Sequence, residues 1–150
     1  MKKLIFNILS FIRKLFFGKT ELPPINTPAD AEFVFELQEK IKEFRLNNYV
    51  LPLSFCRHLQ YLAQDRANFN YLHSEINDQN SHTLLDINLR KAGINIKSSD
   101  MLCVETDGTY EDCFRELISN QKYRGAILNG FNTIYGIGKC EKYISIILAG

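Results

Sequence analysis

The sequence predicts an α+β domain: an α-β-α sandwich, with an antiparallel sheet flanked by helices and an amphipathic segment ahead of it. Two observations carry this. Apolar residues recur at helical spacing through successive stretches, whereas the last two runs, residues 132–139 and 142–149, are rich in isoleucine and tyrosine and apolar on both alternating faces. Strands of that kind need cover on both sides, so helices must lie above and below the hairpin they form. A chain of 150 residues suits one core and excludes a two-domain enzyme.

The chain opens with a segment unlike the rest. Residues 1–20 hold five Lys or Arg and no acid, which leaves the remainder at −4 against a total of +1. Lys3, Asn7, Ser10 and Lys14 step by four, three and four residues, so on a helix they form one narrow polar stripe beside a wide apolar arc. That pattern fits a helix lying in a lipid headgroup layer, with Lys2, Lys3 and Lys14 toward phosphates and Phe6, Phe11 and Phe16 toward acyl chains. It is too interrupted to span a bilayer, which takes about 20 mostly apolar residues. A cleaved signal peptide and a helix docked on protein are the alternatives; the absence of a small-x-small site, and Arg13-Lys14 directly after the apolar run, argue against cleavage. Residues 21–28, with Pro23 and Pro24, read as a linker to a domain over 29–150.

Thr27, Pro28 and Asp30 supply a cap, a first-turn proline and a first-turn acid, and Phe33, Leu37, Ile41 and Phe44 carry a helix to about Leu46. Ser54 is the expected cap of a second helix that ends near Leu72. A polar loop follows over 70–82, then a short helix from Leu84 to Ala92 stopped by Gly93. Met101 to Glu105 reads as a strand, Thr109 with Asp112 opens a fourth helix, and Gly125 keeps the next helical turn short. The terminal runs then pair as an antiparallel hairpin. Gly136 and Gly138 alternate within a strand and no helix follows, so they indicate close backbone packing or a bulge and not a phosphate loop. Cys56, Cys103, Cys113 and Cys140 lack any CxxC or Cys/His spacing, which removes support for a zinc ribbon or a thioredoxin-like site. They read as buried small hydrophobes, with two disulfides open as an alternative.

The order of these pieces resembles the CAP superfamily of cysteine-rich secretory, antigen 5 and plant pathogenesis-related proteins, and more closely its bacterial SCP-like members. The likeness covers about residues 29–150: LPLSFCRHLQYLAQDRANF, a loop histidine at His82, LRKAG, Glu105, and NQKYRGAILNGFNTIYGIG running into a last strand. Arg124, Ile127, Leu128, Phe131, Ile134, Gly136 and Gly138 match the family best in type and spacing. The family's cleft is built from two histidines and acidic residues that can hold a divalent metal. The resemblance places the loop histidine on His82, with His73 a poorer match, and the strand glutamate on Glu105, flanked by Val104 and Thr106 where the family has Gly and Asn. It places the second histidine on Tyr123, beside Arg124, and the family's tryptophan on Leu117. A neutral phenol is a poor zinc ligand, so one imidazole and one carboxylate remain.

His82, Glu105, Tyr123 and Arg124 are thus the cleft candidates, each with a plainer alternative: an idle loop histidine, a solvated edge charge and an aromatic packed over the sheet. No metal or other cofactor is expected, and a net charge of +1 offers nucleic acid no general attraction. The expected function is a membrane-associated or exported binding domain taking a lipid, glycan or protein, with an anionic membrane surface as partner of residues 1–19. The alternatives are a hydrolase, in which His82 and Glu105 act and Tyr123 donates to an oxyanion, and a structural subunit.

Overall fold

A computed structural model of the chain describes residues 27–76 and 82–150, with the backbone alone for 82–85. The amphipathic segment and most of the linker lie outside these residues. The elements are α1 (Pro28–Asn47), β1 (Ser54–Phe55), α2 (Arg57–His73), α3 (His82–Lys91), β2 (Ser99–Glu105), α4 (Tyr110–Ser119), α5 (Gln121–Ile127), β3 (Ile134–Cys140) and β4 (Tyr143–Ala149).

Local chemistry sets most boundaries. Thr27 Oγ1 accepts the Asp30 N–H at 3.1 Å to start α1 behind Pro28. Thr109 and Asp112 form a reciprocal capping box on α4. Beyond α3, Gly93 takes φ +77°, the left-handed conformation that ends a helix. Glu141, at φ +52°, lies in the tight connection between β3 and β4.

Two differences from the sequence reading have long-range causes. Ser54 does not cap α2; its N–H donates to the Thr133 carbonyl at 2.8 Å, and the Cys56 N–H donates to Tyr135 at 2.9 Å. Residues 54–55 are thereby drawn into a parallel pairing with Ile134 and Tyr135, and Cys56 takes the N-cap position. The sheet is accordingly mixed instead of wholly antiparallel, in the order β1-β3-β4-β2. The hairpin strand begins at Ile134, two residues later than expected, because Asn132 is turned inward as a polar hub.

The hairpin is at the centre, as its two apolar faces require. Every residue of β4 is buried. Ile144, Ile146 and Leu148 meet Leu37, Ile41, Leu117 and Ile127 of α1, α4 and α5, while Ile147 and Ala149 meet Leu59 and Ala63 of α2 and Leu89 of α3. Helix α2 lies directly on β3. A Cβ at Gly136 would come within 2.2 Å of Leu59 and Gln60 backbone atoms, and one at Gly138 within 2.4 Å of Ala63 and Gln64. The glycines therefore serve close packing. At that short range Gln60 accepts the Ile137 N–H at 3.0 Å, and Gln64 both accepts from and donates to the Lys139 backbone. These glutamines occupy the sheet edge that the two-residue β1 leaves uncovered.

At the opposite end from the hairpin turn, the Arg45 guanidinium is 1% exposed. It donates to the carbonyls of Leu51 at 2.7 Å, Ile127 at 2.5 Å, Asn129 at 3.3 Å and Asn132 at 3.0 Å. The Asn132 side chain donates to Asp100 and Ala126 and accepts from Ser98. One cation and one amide thus tie α1, α5, the start of β2 and the loop before β3. Burial lowers the Arg45 pKa from its ordinary value, yet a guanidinium stays charged across the accessible range.

Candidate functional site

Of the candidate residues, Glu105 lies on β2 and Tyr123 reaches it; β2 is a sheet edge that pairs residue by residue with β4 from Ser99↔Ala149 to Glu105↔Tyr143. Because side chains alternate along the strand, Met101, Cys103 and Glu105 share the row toward α2, and Leu102 and Val104 face α1, α4 and α5. Cys103 Sγ and Ser145 Oγ lie 3.4 Å apart on the α2 side. Tyr143, next along that row, meets Tyr71 of α2 edge to face at 6.5 Å.

Glu105 ends the row, and its carboxylate is ion-paired with the Lys142 ammonium, both half-buried. The hydrogen bond to Glu105 raises the Lys142 pKa above its ordinary value, so the ammonium stays charged at neutral pH. Burial, then the charge of Glu105, raises the Tyr143 phenol as well. Lys142 also borders an open groove of about 280 Å³ between the start of α1 and the hairpin end. Within it Lys139 reaches Asp30 at 2.7 Å and lies over the Phe33 ring.

Tyr123 is in a different environment. Asn120 caps α5 by accepting the Tyr123 N–H at 3.1 Å, which turns the ring into the core beside Leu102 and Val104. Its hydroxyl donates to the Cys103 carbonyl at 3.2 Å. The phenol therefore reaches β2 two residues from Glu105 but belongs to the other face of the sheet. Arg124, the next residue, is exposed. Leu117 is fully buried in the same core as Tyr123.

His82 is the first residue of α3, and its side chain lies outside the described residues. His73 ends α2 with Nδ1 2.8 Å from the Phe69 carbonyl and its ring stacked on Phe69. His58 is exposed on α2. All four cysteines are free thiols, three of them buried, and burial pushes Cys113 up to about 12. Lys142 and Asn132 escaped the sequence reading, since each matters through a partner distant in sequence. The one available signal for Lys142 was its position in the hairpin turn, opposite the end of the preceding strand.

Three solved structures share this architecture. A cysteine-rich secretory protein from Staphylococcus aureus matches with a TM-score of 0.69 and 17% identity over 87% of this chain and 41% of its own. An extracellular protein containing a SCP domain, from Bacillus anthracis, gives 0.71 and 12% over 87% of this chain and 45% of its own. An outer surface protein from Borrelia burgdorferi gives 0.72 and 13% over 86% and 98%. The fold is a divergent CAP-like fold. No family model and no curated protein matches the sequence. The chain spans less than half the length of the Staphylococcus and Bacillus proteins.

A CAP cleft that holds a divalent ion needs a convergent set of imidazole and carboxylate donors, and the described residues do not fit that need. The Tyr123 hydroxyl is engaged with a backbone carbonyl, and the Glu105 carboxylate with an ammonium. Among the described residues no three His, Cys, Asp or Glu side chains come close enough to share a metal ion. No helix among them is long and apolar enough to cross a membrane.

Proposed function

We propose that this CAP-like domain is a non-enzymatic binding module of the cell envelope or exterior, held at an anionic membrane surface by residues 1–19. The observation that carries the non-enzymatic part is the state of the cleft positions. Where the family has its second histidine, Tyr123 is built into the core and donates its proton to the Cys103 carbonyl, so it offers neither a metal ligand nor an oxyanion donor. Glu105, bound to Lys142, is a poor general base because abstracting a proton would break an ion pair. A hydrolase built on His82 and Glu105 would have to undo both arrangements. The ligand class that remains is a lipid, glycan or protein.

The envelope location rests on two supports: the basic, apolar sequence of residues 1–19, and the extracellular or outer-surface description of two of the solved neighbours. Co-sedimentation of the full chain with phosphatidylglycerol vesicles tests it. The chain is expected to pellet at low salt and to be released as salt screens Lys2, Lys3, Arg13, Lys14 and Lys19. Replacing Lys2, Lys3, Phe6, Phe11, Lys14 and Phe16 by serine should leave most of it in the supernatant. Unchanged sedimentation of that variant would overturn the membrane reading.

A further inference from the structure

One end of the domain displays apolar side chains that the core does not use. Tyr49 is 100% exposed, Leu51 81% and Phe131 78%, with Phe55 more than half exposed beside them. They come from separate segments but share one end of the molecule, because Arg45 holds the carbonyls of Leu51, Asn129 and Asn132 at once and Phe55 pairs with the first residues of β3. A clustered apolar rim on loop tips marks a contact surface.

Its charge says which contact. The rim is built from two stretches without a single acidic residue, 44–64 and 117–140, which carry Arg57, Lys122 and Arg124 as exposed cations. The nearest carboxylate on the third strand, Asp100, accepts from Asn132. Protruding aromatic and aliphatic tips on segments that carry cations and no carboxylate match an anionic bilayer interface, where rings enter the acyl boundary and cations meet phosphates. The rigid loops also fit this, since Arg45 and Asn132 preorder the rim and little ordering entropy remains to be lost on contact.

We propose that this rim is a second, independent contact with the anionic bilayer, resting on the reading that residues 1–19 hold the chain there. The first contact leaves the domain at Thr27, the amino end of α1, while the rim adjoins its carboxyl end. Twenty helical residues separate the two by about 30 Å. Two contacts so placed lay α1 along the membrane and fix which side of the domain faces outward, and one apolar segment alone gives only marginal, reversible binding.

The chain has no tryptophan, so single insertions report cleanly. Full-length Phe131→Trp and Leu51→Trp are compared with Phe69→Trp, an exposed position on the half of α2 nearer the hairpin turn, on phosphatidylglycerol vesicles with and without brominated acyl chains. Both rim tryptophans should shift to shorter emission wavelength and be quenched by the brominated lipid; Phe69→Trp should do neither. A Leu51→Ser, Phe131→Ser double variant, whose changes are exposed and leave the fold intact by circular dichroism, should partition roughly tenfold more weakly or worse. If the chain co-sediments but the rim tryptophans are quenched no more than Phe69→Trp, the second contact is refuted while the anchoring by residues 1–19 stands. If nothing co-sediments, both fall. A lipid-independent, concentration-dependent blue shift at the rim would assign it to a second copy of the chain and likewise overturn the proposal.

Discussion

Arg45 shows how much one residue can organise without any counter-ion. Its charge is compensated by four backbone carbonyls from three segments, an arrangement that only a planar five-donor group can satisfy. Arg45→Lys, which keeps the charge but cannot span those acceptors, should destabilise the domain by about 3 kcal/mol, and Arg45→Ala by no less, read from urea midpoints. A loss below about 1 kcal/mol in both would mean that water replaces the clamp without difficulty. Nothing in the sequence separates Arg45 from the other cations of an amphipathic helix; three of its four acceptors lie 82–87 residues away. Cys113 carries a second prediction at this scale. With its thiol held near 12 by burial, it should stay protonated and unreactive toward alkylating reagents at pH 8 in the folded protein, and half-buried Cys56 should be the first thiol modified. Rapid labelling of Cys113 in the native state would contradict the packing around α4.

At the level of elements, the boundaries readable from the sequence are those fixed by neighbours in the chain. The Thr27 cap with Pro28, the Thr109–Asp112 box and the Gly93 stop all appear where local chemistry puts them. Ser54 fails as a cap because a strand 80 residues later claims its N–H, a competition no local pattern records. The same limit applies to Tyr123 and Glu105: a family pattern could place them near each other, but the strand alternation that turns Glu105 to the α2 face, away from Tyr123 of α5, is visible only once β2 has paired with β4. Two tests belong here. Gly138→Ala should destabilise by more than about 2 kcal/mol, since its Cβ would strike the α2 backbone and not a yielding side chain. Asp112 is held below its ordinary pKa of 3.8, chiefly by the Thr109 N–H. A depressed carboxylate contributes stability above its unfolded pKa and loses it as pH falls through the folded value, so amide exchange at the start of α4 should accelerate only below about pH 4. Acceleration already at pH 6 would show that the box does not hold the helix.

For the whole molecule, the sandwich follows from one feature of the sequence, a terminal hairpin apolar on both faces. The two helical layers, the glycine contact with α2 and the central position of β4 are its consequences. The proposed function turns on two positions that the family resemblance assigns to a cleft: Tyr123 is packed in the core, and the Glu105 carboxylate is ion-paired. Isothermal titration of the full chain with zinc tests this most directly, alongside Tyr123→His and Tyr123→His combined with His82→Ala. The account predicts no submicromolar binding by the unmodified chain and no gain from either variant, because position 123 is buried on the α1, α4 and α5 face of the sheet while Glu105 and α3 lie on the α2 face. Stoichiometric submicromolar zinc binding by the unmodified chain would contradict it.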